Sequence, residues 1–302
     1  MYLPLVRGKQ FELVALRELA NVIPENLFKP IIEPVRENYT PLIKTIQILN
    51  EKGIQPIVII NPTLGNFIKL EGFIDDALYA LDKEINFIPC IKFKDYSNEI
   101  NLKFESIPGP KAIYIYDKID PLSTALLNQA DYSIVPADAP TGALKSIKNI
   151  VLMDDPFQKK KKNADYENES YFSDLHTSYK DKAQNVLGFG DYTIVGSDYS
   201  ESGGPAYVVT IHMSYIDKEN YDAMSVKHFS STDNNSLADP GGKFMEALNN
   251  FYDFQLKHKL FDETIGKTEL LRLHERRQFP GLGVVKKLSI EHHIQTICNY
   301  LA

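Results

Sequence analysis

Seven short apolar runs dominate the first half of the chain, six followed directly by a polar or charged residue and one by Asp138, two residues past Pro136. They are Leu3–Val6, Pro30–Ile32, Pro56–Ile60, Phe87–Ile91, Ala112–Tyr116, Tyr132–Val135 and Ile150–Met153. Rich in isoleucine and valine and continuously apolar, they predict strands covered on both faces. Their starts lie about 18 to 31 residues apart, close to the ~30 residues that one strand–helix–strand unit needs. Seven such units in succession define an α/β protein and favour a closed (β/α)8 TIM-like barrel over an open doubly wound sheet.

The segments between the runs read as helices. Thr40-Pro41 resembles an N-cap with proline at the first helical position, Leu42, Ile43, Ile46 and Leu49 form one apolar stripe, and Gly53 ends the helix. Phe11, Val14, Ala15 and Leu19 predict the first helix, and Asp120-Pro121 starts another. Beyond Met153 the pattern changes. Gln158–Ser170 is polar, holds four consecutive lysines (Lys159–Lys162), and reads as a long mobile loop. A helix is expected over Leu175–Gln184, and the eighth strand is either Tyr192–Val195 or Val208–Ile211, with Ser200–Pro205 a turn between them. Val208–Met213 and Met224–Phe229 predict an added β-pair. Asp239-Pro240 opens a strong helix through Phe244, Ala247, Leu248 and Phe251, and Glu269–Ala302 reads as further helix broken at Pro280-Gly281. With no Pro/Gly-rich linker, residues 1–302 are expected to form a single barrel domain, of which 200–302 carry the added β-pair and helices.

Composition limits the function classes. The 302 residues are 43% hydrophobic and 24% charged, as in a soluble globular protein, and the net charge of −7 argues against a broadly basic nucleic-acid-binding face. Two cysteines, Cys90 and Cys298, cannot build a disulfide framework or a four-cysteine zinc site. The N-terminus lacks the basic start and cleavage site of a signal peptide, and no apolar run reaches membrane-spanning length, so a cytoplasmic protein is expected.

The residues at the ends of the runs carry the functional signal. In order they are Arg7, Glu33, Asn61, Lys92, Asp117, Asp138 and the pair Asp154-Asp155. In a parallel barrel the active-site mouth is built from the C-terminal ends of the strands, so these side chains would converge on one face. Taken singly, each could equally be a chain leaving the core for water. As a set, Arg7, Lys9 and Lys92 suit a phosphate or carboxylate. Glu33, Asp117 and Asp155 suit acid–base work or a divalent ion, for which carboxylates alone would favour Mg²⁺ or Mn²⁺ over zinc.

Other features are weaker. Asp239-Pro240-Gly241-Gly242-Lys243 resembles a phosphate-cradling turn, with Lys243 as a ligand-binding candidate, but Phe244 stands where a Walker loop has Ser or Thr. An ordinary capped helix start explains most of it. Lys159–Lys162 reads as solvated, His212 and His228 as structural residues of the β-pair, and His292-His293 as surface residues of an amphipathic helix.

Several segments together resemble one family. Tyr2-Leu3-Pro4-Leu5-Val6-Arg7-Gly8-Lys9-Gln10-Phe11-Glu12, Ala15-Leu16-Arg17-Glu18-Leu19, Pro30-Ile31-Ile32-Glu33-Pro34-Val35 and Ile60-Asn61-Pro62 are similar to the phage T4 beta protein-like family of bacteria and phages. Gly188-Phe189-Gly190-Asp191-Tyr192, Asp239–Phe244 and Pro280-Gly281-Leu282-Gly283 continue the likeness across the chain. The resemblance implies a component of phage–host conflict, in defence or as a toxin's partner, encoded beside a partner protein that resembles a PD-(D/E)xK nuclease. It implies no defined catalytic residues, but it raises the rank of Arg7, Lys9, Glu33, Asn61 and Asp191. Two function classes follow: a binding or regulatory subunit for that partner, or a barrel enzyme acting on a phosphorylated or nucleotide-like small molecule.

Overall fold

All seven apolar runs are strands, and each contributes to one parallel sheet. In the computed structural model, which describes residues 1–69, 72–201, 207–232 and 235–302, they are β1 (Leu5–Arg7), β2 (Ile31–Glu33), β3 (Ile57–Ile59), β4 (Ile88–Phe93), β5 (Ala112–Ile115), β6 (Tyr132–Pro136) and β7 (Ile150–Asp154). Each pairs with the next in parallel. The helices between them are α1 (Gln10–Leu19), α2 (Thr40–Glu51), α3 (Asp75–Leu81), α4 (Asn98–Ser106), α5 (Pro121–Leu127) and α6 (Thr141–Ser146). In α5 the expected start is found: Asp120 accepts the Ser123 N–H at 2.8 Å with Pro121 behind it. In α2 the start moves by one residue, with Tyr39 rather than Thr40 at the N-cap, while Gly53 ends the helix at φ +76°.

The eighth barrel strand is neither of the two expected runs. After β8 (Glu169–Ser173) and α7 (Leu175–Ser178), the chain forms β9 (Val186–Asp191), which lies parallel to β7. β9 reaches β1: the Leu3 N–H donates to the Phe189 carbonyl at 2.8 Å, and the Phe189 N–H donates to that of Met1 at 3.2 Å. A nearly closed (β/α)8 barrel results, with strand order β1-β2-β3-β4-β5-β6-β7-β9. The sequence Val-Leu-Gly-Phe-Gly-Asp hides this strand because glycine interrupts its apolar run. The glycines are what closure needs. A Cβ on Gly190 would overlap the Leu3 carbonyl, and one on Gly188 would come within 2.5 Å of the Met1 carbonyl.

Side chains alternate along a strand, and the barrel interior is filled from alternate positions: Leu5, Ile31, Ile57 and Ile59, Ile88 and Cys90, Ala112 and Tyr114, Val151 and Met153. The intervening residues, such as Val6, Ile32 and Val58, are also buried, which is why the runs do not alternate in hydrophobicity.

By contacts the chain forms two compact units. The first, Met1–Asp155 and Leu175–Tyr192, is the barrel; the second is Pro156–Asp174 and Thr193–Tyr300. Because the chain passes back and forth between them, no single linker marks a boundary. In the second unit, β10 (Thr210–Asp217) and β11 (Ala223–Ser230) form the expected antiparallel pair. β8 adds to β11 as a third strand, so the segment read as a loop through Ser170 is partly a strand. Its polarity is that of an edge with one apolar anchor, Phe172, and with Glu169 paired to Lys227. Residues 202–205 of the expected turn lie outside the described residues.

Three long helices complete this unit: α8 (Pro240–His258), α9 (Ile265–Arg276) and α10 (Leu282–Leu301). Asp239 caps α8 as expected, accepting the Gly242 N–H at 2.8 Å. His292 and His293, expected at the surface, are fully buried. The His292 Nε2–H donates to the Ser214 carbonyl at 2.7 Å, so its Nδ1 accepts from the Thr264 hydroxyl, also at 2.7 Å. Both nitrogens are thereby satisfied by the neutral ring, and satisfied polar groups can be buried at little cost. His212 and His228 meet Nδ1 to Nδ1 at 2.7 Å under Tyr166 and Phe157. Burial pushes His292 and His212 down to about 3 and His228 to about 4.

Two measurements test this account. Gly190→Ala should lower unfolding free energy by roughly 1–3 kcal/mol through overpacking at the seam; an unchanged urea midpoint would mean that β9 does not press on β1. The buried histidines bind protons more readily when unfolded, so the stability they hold is complete above the unfolded value of 6.5 and drains away as pH falls toward about 4 and then 3. The denaturant midpoint should drop across that window, and His292→Gln should flatten part of the slope. An identical slope in the variant would place the acid sensitivity elsewhere.

Candidate functional site

The period-two rule that fills the barrel also builds its mouth. Continuing each interior column by one step leads from Leu5 to Arg7, from Ile31 to Glu33, from Ile59 to Asn61, from Cys90 to Lys92 and from Tyr114 to Tyr116. The polar residues at these strand ends therefore share the interior face instead of turning away from it.

Three of them form one buried ionic cluster. Glu33, with 0% of its side chain exposed, accepts from Arg7 Nη1 and from Lys92 Nζ, the latter at 3.0 Å and 3.1 Å to its two oxygens. Neighbouring strands β1 and β2 carry the first pair, and β4 reaches across β3 to supply the second. Asn61 fixes the height of Lys92: its amide donates to the Lys92 carbonyl at 2.7 Å and accepts the Lys92 N–H at 2.9 Å. A side-chain amide thus extends the β3–β4 ladder one rung beyond the last backbone pair.

Tyrosines surround the cations. The Arg7 guanidinium lies 5.0 Å from the centre of the Tyr192 ring, and Lys92 Nζ lies 5.7 Å and 5.2 Å from those of Tyr114 and Tyr116, within cation–π range. The Tyr114 and Tyr192 hydroxyls share a hydrogen bond of 2.6 Å. Burial, and then the neighbouring hydroxyl, raise Tyr114 well above the usual phenol range, and burial raises Tyr192. Burial lowers Lys92, with Glu33 opposing the shift and Arg7 adding to it. None of the tyrosines stood out in the sequence. Counting back in twos from Tyr116 to Ala112 would have found two of them.

Asp117, Asp191 and Lys243 lie elsewhere. Asp117 is half-exposed, 2.9 Å from the exposed Lys94, which holds its carboxyl below the ordinary range. Asp155 continues the interior column of Val151 and Met153, is exposed, and its N–H donates to Asp154 at 2.8 Å. Burial raises Asp154, with Asp191, Asp155 and Asp138 adding to the shift. Asp191 is buried on the Phe189 face of β9, where the Tyr2 hydroxyl donates to it at 2.6 Å; this ties the β1–β9 seam. Lys9 stands at the N-cap of α1. Lys243 belongs to the second unit, where its Nζ donates to the Ser236 carbonyl across the first turn of α8, so the resemblance to a phosphate-cradling turn has a structural explanation. Among the described residues no group of three or more His, Cys, Asp or Glu side chains is placed to hold a metal ion. Of the carboxylates expected to favour Mg²⁺ or Mn²⁺, Glu33 is in the buried cluster, whereas Asp117 is half-exposed and Asp155 exposed.

A scan against protein-family models finds no match, and a search among curated proteins finds none. The reading of function therefore rests on the geometry of the site.

Removing one member of a buried ion cluster leaves the others uncompensated and costs about 3–5 kcal/mol. Glu33→Gln should be destabilising on that scale in denaturant unfolding, with Lys92→Met in the same chain recovering part of the loss. Asp117→Asn should leave stability unchanged. Equal effects of the two single substitutions would contradict the burial assigned to Glu33.

Proposed function

We propose that the barrel is a binding body whose mouth takes a small anionic molecule, carboxylated or phosphorylated, on Arg7 and Lys92. The observation that carries this is the pair of cations, Arg7 and Lys92, that Glu33 gathers at the strand ends of one face. Arginine suits carboxylate and phosphate through its planar fork of donors, and the three tyrosines offer ring faces to an apolar or planar remainder.

Titration of the chain with inorganic phosphate and with small carboxylates should raise its melting temperature. The stabilisation would reach about 2.7 kcal/mol at a hundredfold excess over Kd. Arg7→Gln keeps the Lys92–Glu33 pair and, though less stable, should lose the anion-dependent shift. A shift of equal size in Arg7→Gln, or in matched chloride, would overturn the site.

The resemblance to the phage T4 beta protein-like family supports a setting for this binding body: a cytoplasmic component of phage–host conflict that acts as a regulatory subunit for a nuclease-like partner. One structural observation favours a partner-binding role. The second unit adds a sheet and three long helices that the barrel ladder does not use, and it exposes Tyr171, Tyr207 and Tyr221, a residue type enriched at interfaces. Co-purification with the product of the neighbouring gene is the expected result, and Tyr221→Glu should weaken it. Failure to recover any complex from co-expressed proteins would reject the subunit role and leave the mouth to be judged on its own.

A further inference from the structure

One face of the antiparallel sheet in the second unit carries a serine and two histidines in a row. His212 of β10 stands opposite His228 of β11, and Ser170 of β8 pairs with Val226, two residues before His228, so the three side chains take the same face. The Ser170 hydroxyl donates to His228 Nε2 at 2.9 Å. In the neutral ring Nδ1 then holds the proton and donates to His212 Nδ1 at 2.7 Å. Both links run in one direction, from hydroxyl to imidazole to imidazole.

A nucleophile, a base within hydrogen-bond reach and a third group that orients the base form the arrangement of an activated serine, whatever fold carries it. The rings of Phe157 and Tyr166 pack on both histidines and hold them in place. His228 is buried, whereas Ser170 is partly open to solvent, where a substrate can reach it.

We propose that Ser170 is the nucleophile of an acyl-transfer site for small aryl esters, with His228 as its general base and His212 as the residue that positions the base. The site lies wholly in the second unit and stands independently of the anion site at the barrel mouth. The choice of ester follows from the base. Burial, with Lys160 adding to the shift and Glu169 opposing it, holds His228 at about 4. Such a ring is neutral at pH 7 but takes a proton weakly, so it serves an acyl group with a good leaving group and not an amide.

The reaction needs only ester and water. The Ser170 proton passes to His228 Nε2 while an Oγ lone pair forms a bond to the acyl carbon and the carbonyl π pair moves onto oxygen. Lys160, a cation that acts on His228, is a neighbouring positive charge for that oxygen. The pair then returns, the bond to the phenol oxygen breaks, and that oxygen takes the Nε2 proton and leaves. Water repeats the sequence: it gives a proton to Nε2 and attacks the acyl carbon. Oγ departs with that proton, freeing the carboxylic acid and restoring the serine.

The test treats the full chain with phenylmethanesulfonyl fluoride and maps the adduct by peptide mass spectrometry. Ser170 should carry it, and the untreated chain should release p-nitrophenol from p-nitrophenyl acetate with Ser170 transiently acetylated. Ser170→Ala, at an edge strand, should fold and lose both reactions. His228→Ala should slow labelling about 100-fold or more. His212→Asn, whose side-chain oxygen can replace the Nδ1 acceptor, should keep most of the rate. His212→Leu, which fills the space without an acceptor, should lose most of it. Should His228→Ala not fold, the His212 pair decides. No adduct on Ser170, or one that forms as fast on Ser173 or in the urea-unfolded chain, overturns the site; equal rates in His212→Asn and His212→Leu overturn the relay.

Discussion

An eight-stranded sheet becomes a barrel only if its last strand comes within hydrogen-bonding distance of its first, and here that approach is made without side chains. Gly188 and Gly190 let β9 press against the backbone at Met1 and Leu3, where alanine methyls would collide. The outer face of the same strand supplies what the inner face gives up: Phe189 packs on Tyr2 and Tyr179, and Asp191 takes the Tyr2 hydroxyl. Closure fixes β1, and β1 carries Arg7. The position of the buried ion cluster therefore depends on two residues that contribute no side chain to it.

The cluster shows how a fold can concentrate charge without surface exposure. Glu33 holds Arg7 from the adjacent strand and Lys92 from two strands away. Because the interior is filled by alternate residues, the same parity that buries Ile31 and Cys90 brings Glu33 and Lys92 together. The tyrosines reinforce the low polarity around the cations while offering hydroxyls at the mouth. The cluster presents a fixed charge pattern held by strands, not by loops.

Much of the barrel was legible in the sequence because a strand covered on both faces must be apolar throughout. Seven strands and the capped start of α5 follow from that rule and from local turn chemistry. The eighth strand did not, since its glycines serve closure and look like a turn when read alone. The partners of Glu33 were visible as strand-end residues, but their separation from Asp117 was not: one step along a strand reverses which face a side chain takes. The burial of His292 and His293 was hidden for a different reason. Their polar partners, Ser214 and Thr264, come from distant segments, and no local pattern announces such pairing. The turn before Lys243 was ambiguous because a capped helix start with glycines looks the same whether it serves a ligand or only the helix.

The order in which the chain visits its two units has a consequence for how such a protein can be assembled and inherited. During synthesis the first seven barrel strands emerge consecutively, yet the seam waits until β9 has followed β8 out of the ribosome. β8 in turn must wait for β11 before its edge is covered. Neither unit is a cassette: cutting the gene at one place separates no complete body from the other. A recombination event could not exchange the second unit as a single block. An ancestral barrel could have acquired it only piecemeal, as growth within the connection between its last two strands and beyond its final one.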